Sequence, residues 1–207
     1  VRRLLIASRN RKKLAELHRV LDAAGIAGLE LLTLDDVPPF TEAPETGATF
    51  EENATAKARD AFAATGIAAL ADDSGIAVAA LNGMPGVLSA RWSGGLVDAD
   101  KDFANYRLVL AQLGDVPDER RGAAFVSVCA LVTGPGPDEV TVVRGEWPGV
   151  IAREPLGDGG FGYDPVFIPA GETRSAAQLS GAEKDAASHR GRALAMLVPA
   201  LRGLARG

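Results

Sequence analysis

The chain opens with an apolar run of strand length, Leu4-Leu5-Ile6-Ala7, which stops in the polar and cationic segment Ser8-Arg9-Asn10-Arg11-Lys12-Lys13. A helical pattern follows directly, with Leu14, Leu17 and Leu21 at helical spacing between about Lys12 and Ala24 and Gly25 as a stop. A short buried strand feeding a helix through a polar turn points to the α/β class, and it also makes a site. Small polar residues at the end of a strand, followed by helix-start amides and cations, suit anionic oxygens. Lys13 or Lys12 would add charge-assisted bonds to phosphate. The bland alternative is a solvated basic helix start. The apolar run is far too short for a signal-peptide core or a membrane span, so a cytoplasmic protein without a membrane partner is expected.

The rest of the pattern alternates in the same way. Leu29 to Leu34 reads as a strand, and the stretch from Asp35 to Gly47, with Pro38, Pro39 and Pro44, reads as a loop. Thr49 followed by Glu52 is a capping-box signature for an Ala-rich helix reaching about Thr65. Ile67–Ala71 and Ile76–Ala79 are short apolar runs around Asp72-Asp73-Ser74-Gly75, which reads as a tight turn between two strands. Asn82–Gly95 reads as a loop and Asp100–Leu113 as an amphipathic helix. Ala123–Thr133 and Glu139–Trp147 flank the turn-rich Gly134-Pro135-Gly136-Pro137-Asp138, predicting a long hairpin that Gly149–Arg153 extends. A glycine loop at Gly157–Gly162, a short strand at Val166–Ile168 and helix from about Ser180 complete the chain. No repeat or long linker interrupts it, so a single domain over residues 1–207 is expected, a mixed sheet with helices on both sides.

Charge narrows the partners. The 207 residues carry 22 Lys plus Arg against 27 Asp plus Glu, a net charge of −5, yet six of those cations lie within the first 13 residues. No global positive field exists to hold nucleic acid, so a polyanionic ligand must be met by a local cluster. One cysteine and two histidines exclude an internal disulfide and a Cys/His zinc site, and a reducing compartment is the natural setting.

Four further segments carry candidate chemistry. In Asp72-Asp73-Ser74-Gly75, two carboxylates emerging from an apolar strand suit a hard cation such as Mg²⁺ or the activation of water, whereas an Asx turn is the ordinary alternative. Adjacent residues of a strand face opposite ways, so only one of the pair is expected to face a substrate. Among Glu42, Glu45, Glu51 and Glu52, the last two belong to the helix start, which leaves Glu45, in the loop, freer to be a second metal ligand; Lys57 lies on the same helix. Gly157-Asp158-Gly159-Gly160-Phe161-Gly162 formally fits a dinucleotide fingerprint, but Tyr163-Asp164-Pro165 and a strand follow where that motif needs a helix. A loop presenting Phe161, Tyr163 and Asp164 is better suited to gripping a flat ring, or else buries its aromatics in the core. Ser180 and Glu183 form a second capping box. Beyond it, Lys184 and His189 would stand about 140° apart on an unbroken helix. They share a ligand only if it spans them or if the helix breaks near Ser188. Lys184, His189 and Arg190 are candidate donors to base and phosphate.

Taken in order, these segments resemble the inosine triphosphate pyrophosphatase family, the house-cleaning enzymes for non-canonical purine nucleoside triphosphates. The matching residues are Ser8 to Lys13; Glu45-Thr46-Gly47 with Glu52-Asn53 and Lys57; Ala71 to Gly75; Pro85-Gly86 with Ser89-Ala90-Arg91; Gly160 to Pro165; and Lys184 with Ser188-His189-Arg190. The likeness runs from Leu4 to about Leu201. It implies an α/β fold with a long mixed sheet flanked by helices in two lobes around a central cleft, and a homodimer. The implied activity is Mg²⁺-dependent hydrolysis of ITP, dITP and XTP between the α- and β-phosphates. The alternative from another class is a purine-nucleotide-binding module without turnover. The resemblance gives Asp73 the proton-acceptor role and metal binding to Asp73 and Glu45. Nucleotide contacts fall to Ser8, Arg9, Asn10, Arg11, Lys12, Lys13, Lys57, Ser74, Phe161, Gly162, Tyr163, Asp164, Lys184, His189 and Arg190. One departure is visible: where the family's first loop usually reads Thr-Gly-Asn, this chain has Ser8-Arg9-Asn10, keeping the hydroxyl but replacing a permissive glycine.

Overall fold

The computed structural model describes residues 1–9, 15, 18–19, 21–26, 28–42, 44–94 and 100–206. The elements it places are β1 (Arg2–Ile6), β2 (Leu29–Thr33), α1 (Phe50–Thr65), β3 (Ala68–Val78), α2 (Lys101–Gln112), β4 (Gly122–Val132), β5 (Val140–Ile151), β6 (Phe167–Pro169), α3 (Gly181–Ala187) and α4 (His189–Arg206). Within the helix predicted from Lys12, the described Ala15, His18, Arg19 and residues 21–23 are helical. The strands form one sheet in the order β2-β1-β3-β4-β5-β6. β1 runs parallel to both β2 and β3, and β5 runs antiparallel to β6, so the expected mixed α/β sheet is present. No helix among the described residues is long and apolar enough to cross a membrane.

Two compact units divide the chain. The first comprises Val1–Asp73, Ser127–Gly145 and Arg190–Gly207; the second comprises Ser74–Val126 and Glu146–His189. In the first, Leu4 and Ile6 of β1, Leu70 of β3, Leu131 of β4 and Leu194, Leu197 and Leu201 of α4 form the core. The α4 residues fall at helical spacing, so a single stripe of that helix covers the strands. α1 belongs to the same unit and buries Phe50, Ala54, Ala58 and Ala61. Its ends are well specified: the Thr49 hydroxyl accepts the Glu52 amide, and Gly66 closes the helix at φ 66° with its N–H on the Phe62 carbonyl. The Glu52 carboxylate caps the Ala48 amide, one residue before the position a full capping box uses.

The second unit has an aromatic core. Phe125 of β4 meets Phe167 edge-on at 4.6 Å and lies roughly parallel to Trp147 at 6.4 Å. Ile76, Val78, Val109, Leu113 and Val166 fill in around them. Arg121, 2% exposed, donates to the carbonyls of Leu113, Ile151 and Ala152 at 2.6–2.9 Å, tying the end of α2 to the end of β5.

One sequence expectation fails. Asp72-Asp73-Ser74-Gly75 is the middle of a continuous eleven-residue strand, β3, and not a turn between two strands. Gly75 is there for close approach: a Cβ would stand 2.3 Å from the Ser89 hydroxyl and 2.5 Å from the Gly86 carbonyl. The Ile76 amide donates to that hydroxyl at 2.9 Å, so the glycine admits a partner segment instead of reversing the chain. Further along the chain the alternative that needed a helix break is realised. Ser188 adopts φ −65°, ψ 157°, ending α3 before α4 begins at His189.

Candidate active site

The first unit gathers a polar centre from a helix, a strand and a loop. Asn53 and Lys57 are four residues apart on α1 and so lie on one face of the helix. Asn53 is 2% exposed, and its side-chain amide donates to Asp73 Oδ2 at 3.0 Å while its oxygen accepts the Gly47 amide at 2.8 Å. Asp73 itself is 6% exposed. Lys57 Nζ donates to Glu45 Oε1 at 2.8 Å and stands 3.8 Å from Asp73 Oδ1. Burial is the largest single influence on this ammonium and disfavours its charge. The fields of Asp72, Asp73 and Glu45 together outweigh it and hold the pKa above the ordinary lysine value. Asp72, next along the strand, meets a different partner: Arg190 Nε approaches its Oδ2 at 3.4 Å, as strand alternation requires.

Glu45 and Asp73 therefore converge on one positive charge. Two carboxylates suit Mg²⁺, which takes one or two protein carboxylates and completes its shell with water and substrate phosphate. Among the described residues no cluster of three or more His, Cys, Asp or Glu gathers. The pair of carboxylates beside Lys57 is a donor set that fits a metal sharing its coordination with a polyphosphate.

Of the first loop, Ser8 and Arg9 are described, whereas Asn10, Arg11, Lys12 and Lys13 lie outside the described residues. The Arg9 guanidinium bonds Glu42 through Nε and a terminal nitrogen, each 2.7 Å from Oε1, with both side chains substantially exposed. In this arrangement Arg9 reaches the proline-rich loop.

The second unit gathers Phe161, Asp164 and Lys184. Asp164 is 2% exposed; its Oδ2 accepts the Phe161 amide at 2.8 Å and the Lys184 ammonium. Gly160 is needed here, because at φ 72° a Cβ would collide with that carboxylate. Lys184 Nζ lies 4.6 Å from the centre of the Phe161 ring, a cation–π distance. Tyr163 is buried, and its hydroxyl donates to the Ser89 carbonyl at 2.8 Å. Burial, helped by the charge of Asp102, pushes this phenol well above its ordinary range and keeps it a donor. His189 is 5% exposed and stacks on Phe125 at 4.9 Å. Ser74, half-buried on β3, belongs to the same unit. Two residues that hold these groups have no role in the sequence reading: Asn53, which enters there only as part of the family-matching Glu52-Asn53 pair, and Asp102, which has no signal.

Fold and side chains together define a class: an α/β protein with a carboxylate and lysine centre in one unit and a cation-topped aromatic loop in the other. Residues 4–200 match the model of the Ham1 family. A dITP/XTP pyrophosphatase of Mycobacterium tuberculosis is 74% identical over 207 residues, covering 100% of this chain and 98% of that one. A crystal structure of a nucleoside-triphosphatase, or dITP/XTP pyrophosphatase, from Mycobacterium abscessus superposes with TM-score 0.77 at 62% identity, covering 95% of this chain and 99% of that one. A HAM1 protein from Coxiella burnetii gives 0.86 at 40% identity, with 98% and 100% covered. The chain belongs to the Ham1 family.

Proposed function

We propose that this chain hydrolyses ITP, dITP and XTP to the nucleoside monophosphate and pyrophosphate, with Mg²⁺ as cofactor, clearing non-canonical purines from the nucleotide pool. The observation that carries the reading is the convergence of Asp73 and Glu45 on Lys57, with Asn53 fixing the second oxygen of Asp73. The activity named for relatives at this level of identity supports it.

In the proposed reaction Asp73 takes the proton of the attacking water. That water's oxygen bonds to phosphorus as the α–β anhydride bond breaks, and pyrophosphate leaves. The Asn53 amide holds the carboxylate in one orientation, which is the entropic part of its contribution. Lys57 supplies a fixed positive charge for the phosphate oxygens. Mg²⁺, held by Asp73 and Glu45, would offset polyphosphate charge. Ser8, Arg9 and the cations Arg11, Lys12 and Lys13 are assigned to the phosphate tail, and Arg190 to a neighbouring phosphate or base contact.

For the base, the Phe161 ring offers a stacking face. The Lys184 ammonium, 4.6 Å from the centre of that ring, is placed as the donor to the 6-oxo group of a stacked base. Hypoxanthine and xanthine accept that bond; adenine's amino group leaves the donor unpaired, a mismatch worth orders of magnitude in specificity. Guanine shares the 6-oxo group, so its rejection must come from contacts near its 2-amino group. Homodimerisation, which rests on the family resemblance, and a reducing, cytoplasmic setting, which rests on the single cysteine, belong to the same proposal. The test is kcat/KM on ITP, dITP, XTP, ATP and GTP with Mg²⁺. The reading requires ITP, dITP and XTP to exceed ATP and GTP by at least about a hundredfold; equal rates on ITP and ATP would refute it.

A further inference from the structure

The loop that ends in Phe161 and Gly162 is intrinsically loose. Gly157, Gly160 and Gly162 all take positive φ, and such a segment has many backbone states to lose on ordering. A ring face can be presented at a fixed angle only if the loop is pinned. The Phe161 amide is pinned from within the turn, by Asp164. The next amide, that of Gly162, is pinned from outside it: its N–H donates to Asp102 Oδ2 at 2.8 Å, across a separation of 60 residues.

Asp102 is half-buried in the first turn of α2, where the helix dipole favours a carboxylate. The helix does not need it as a cap, because the Asp100 carboxylate already accepts the Phe103 amide at 3.1 Å. Its hydrogen bond is directed at the loop and not at its own helix. The consecutive amides of Phe161 and Gly162 are thus each held by a carboxylate, one local and one remote. The next residue, Tyr163, is anchored through its hydroxyl to the Ser89 carbonyl.

We propose that Asp102 is a positioning residue for base recognition, fixing the Phe161 ring and the adjoining Asp164 and Lys184 by holding the Gly162 amide. The inference rests on the proposed reading of this loop as the base-binding surface.

The test is steady-state kinetics on ITP with the full chain and its Asp102→Ala and Asp102→Asn variants, beside their thermal unfolding midpoints. Loss of a hydrogen bond to a charged group raises KM about tenfold in Asp102→Ala with kcat within about threefold of wild type. The Asn variant, whose amide oxygen accepts the same N–H, returns KM to within about threefold of wild type. Wild-type KM in Asp102→Ala would overturn the positioning role, as would equal losses in both variants that simply follow a fall in unfolding temperature. A wild-type chain inert toward ITP would instead overturn the proposed function, so the two failures read differently.

Discussion

The carboxylate centre of the first unit and the aromatic loop of the second solve the same problem, holding a side chain still, by opposite means. Asp73 lies within an eleven-residue strand and is met by two residues of one capped helix, so regular backbone fixes it and a single amide from Asn53 completes the job. Phe161 lies on a glycine-rich turn with no regular structure of its own, and its geometry depends on carboxylates at Asp164 and Asp102. The lesson is where each kind of perturbation should appear. Damage to the first centre should fall on turnover, whereas damage to the second should fall on affinity and base choice.

The largest expected effect is at Asp73. Asp73→Asn removes the proton acceptor but keeps its shape, so kcat should fall by about 10²–10⁴ while nucleotide binding persists. Wild-type kcat in that variant would break the comparison at its stronger end. A smaller and opposite signature is expected at Phe161. Phe161→Leu keeps an apolar side chain but loses the stacking face, raising KM for ITP by about threefold to tenfold with little change in kcat. If kcat were the parameter that fell, the division between the two regions would be wrong.

The smallest effect concerns α3, which carries Lys184. Hydrogen bonds from the Ser180 amide and hydroxyl, then from Arg174, lower the Glu183 pKa to about 2 from 4.5. A depressed carboxyl stabilises the fold above its unfolded value and loses that contribution as pH falls through the folded one. The difference in unfolding temperature between wild type and Glu183→Gln should be slight, present above pH 4.5 and gone by about pH 2. A difference that persisted unchanged below pH 2 would detach it from this ionisation.

Local signals carried a large part of this structure. The Thr49 cap, the Ala-rich α1, the Asp100-initiated α2 and the β4 and β5 strands all rest on neighbours a few residues apart, where propensity and capping act, whereas the break at Ser188 is one of two alternatives that the sequence leaves open. The turn expected within β3 follows from local chemistry, since the segment Asp-Asp-Ser-Gly is turn-forming on its own. What keeps it extended is remote: Asn53 and Lys57 beside Asp73, Arg190 beside Asp72, and Ser89 against Gly75. The Asp102 contact was invisible for the same reason, since nothing in a helix start predicts an amide 60 residues away. The pairing of Glu45 with Asp73 at one metal follows from the family resemblance, whereas their convergence on the Lys57 ammonium comes only with the fold.

In the proposed reaction the α–β phosphoanhydride of a 6-oxo purine triphosphate is the bond that breaks. Phosphorus NMR of ITP turned over by the wild-type chain with Mg²⁺ reads this directly. IMP and pyrophosphate are expected as the first products in equal amounts; IDP and orthophosphate would contradict the proposed cleavage.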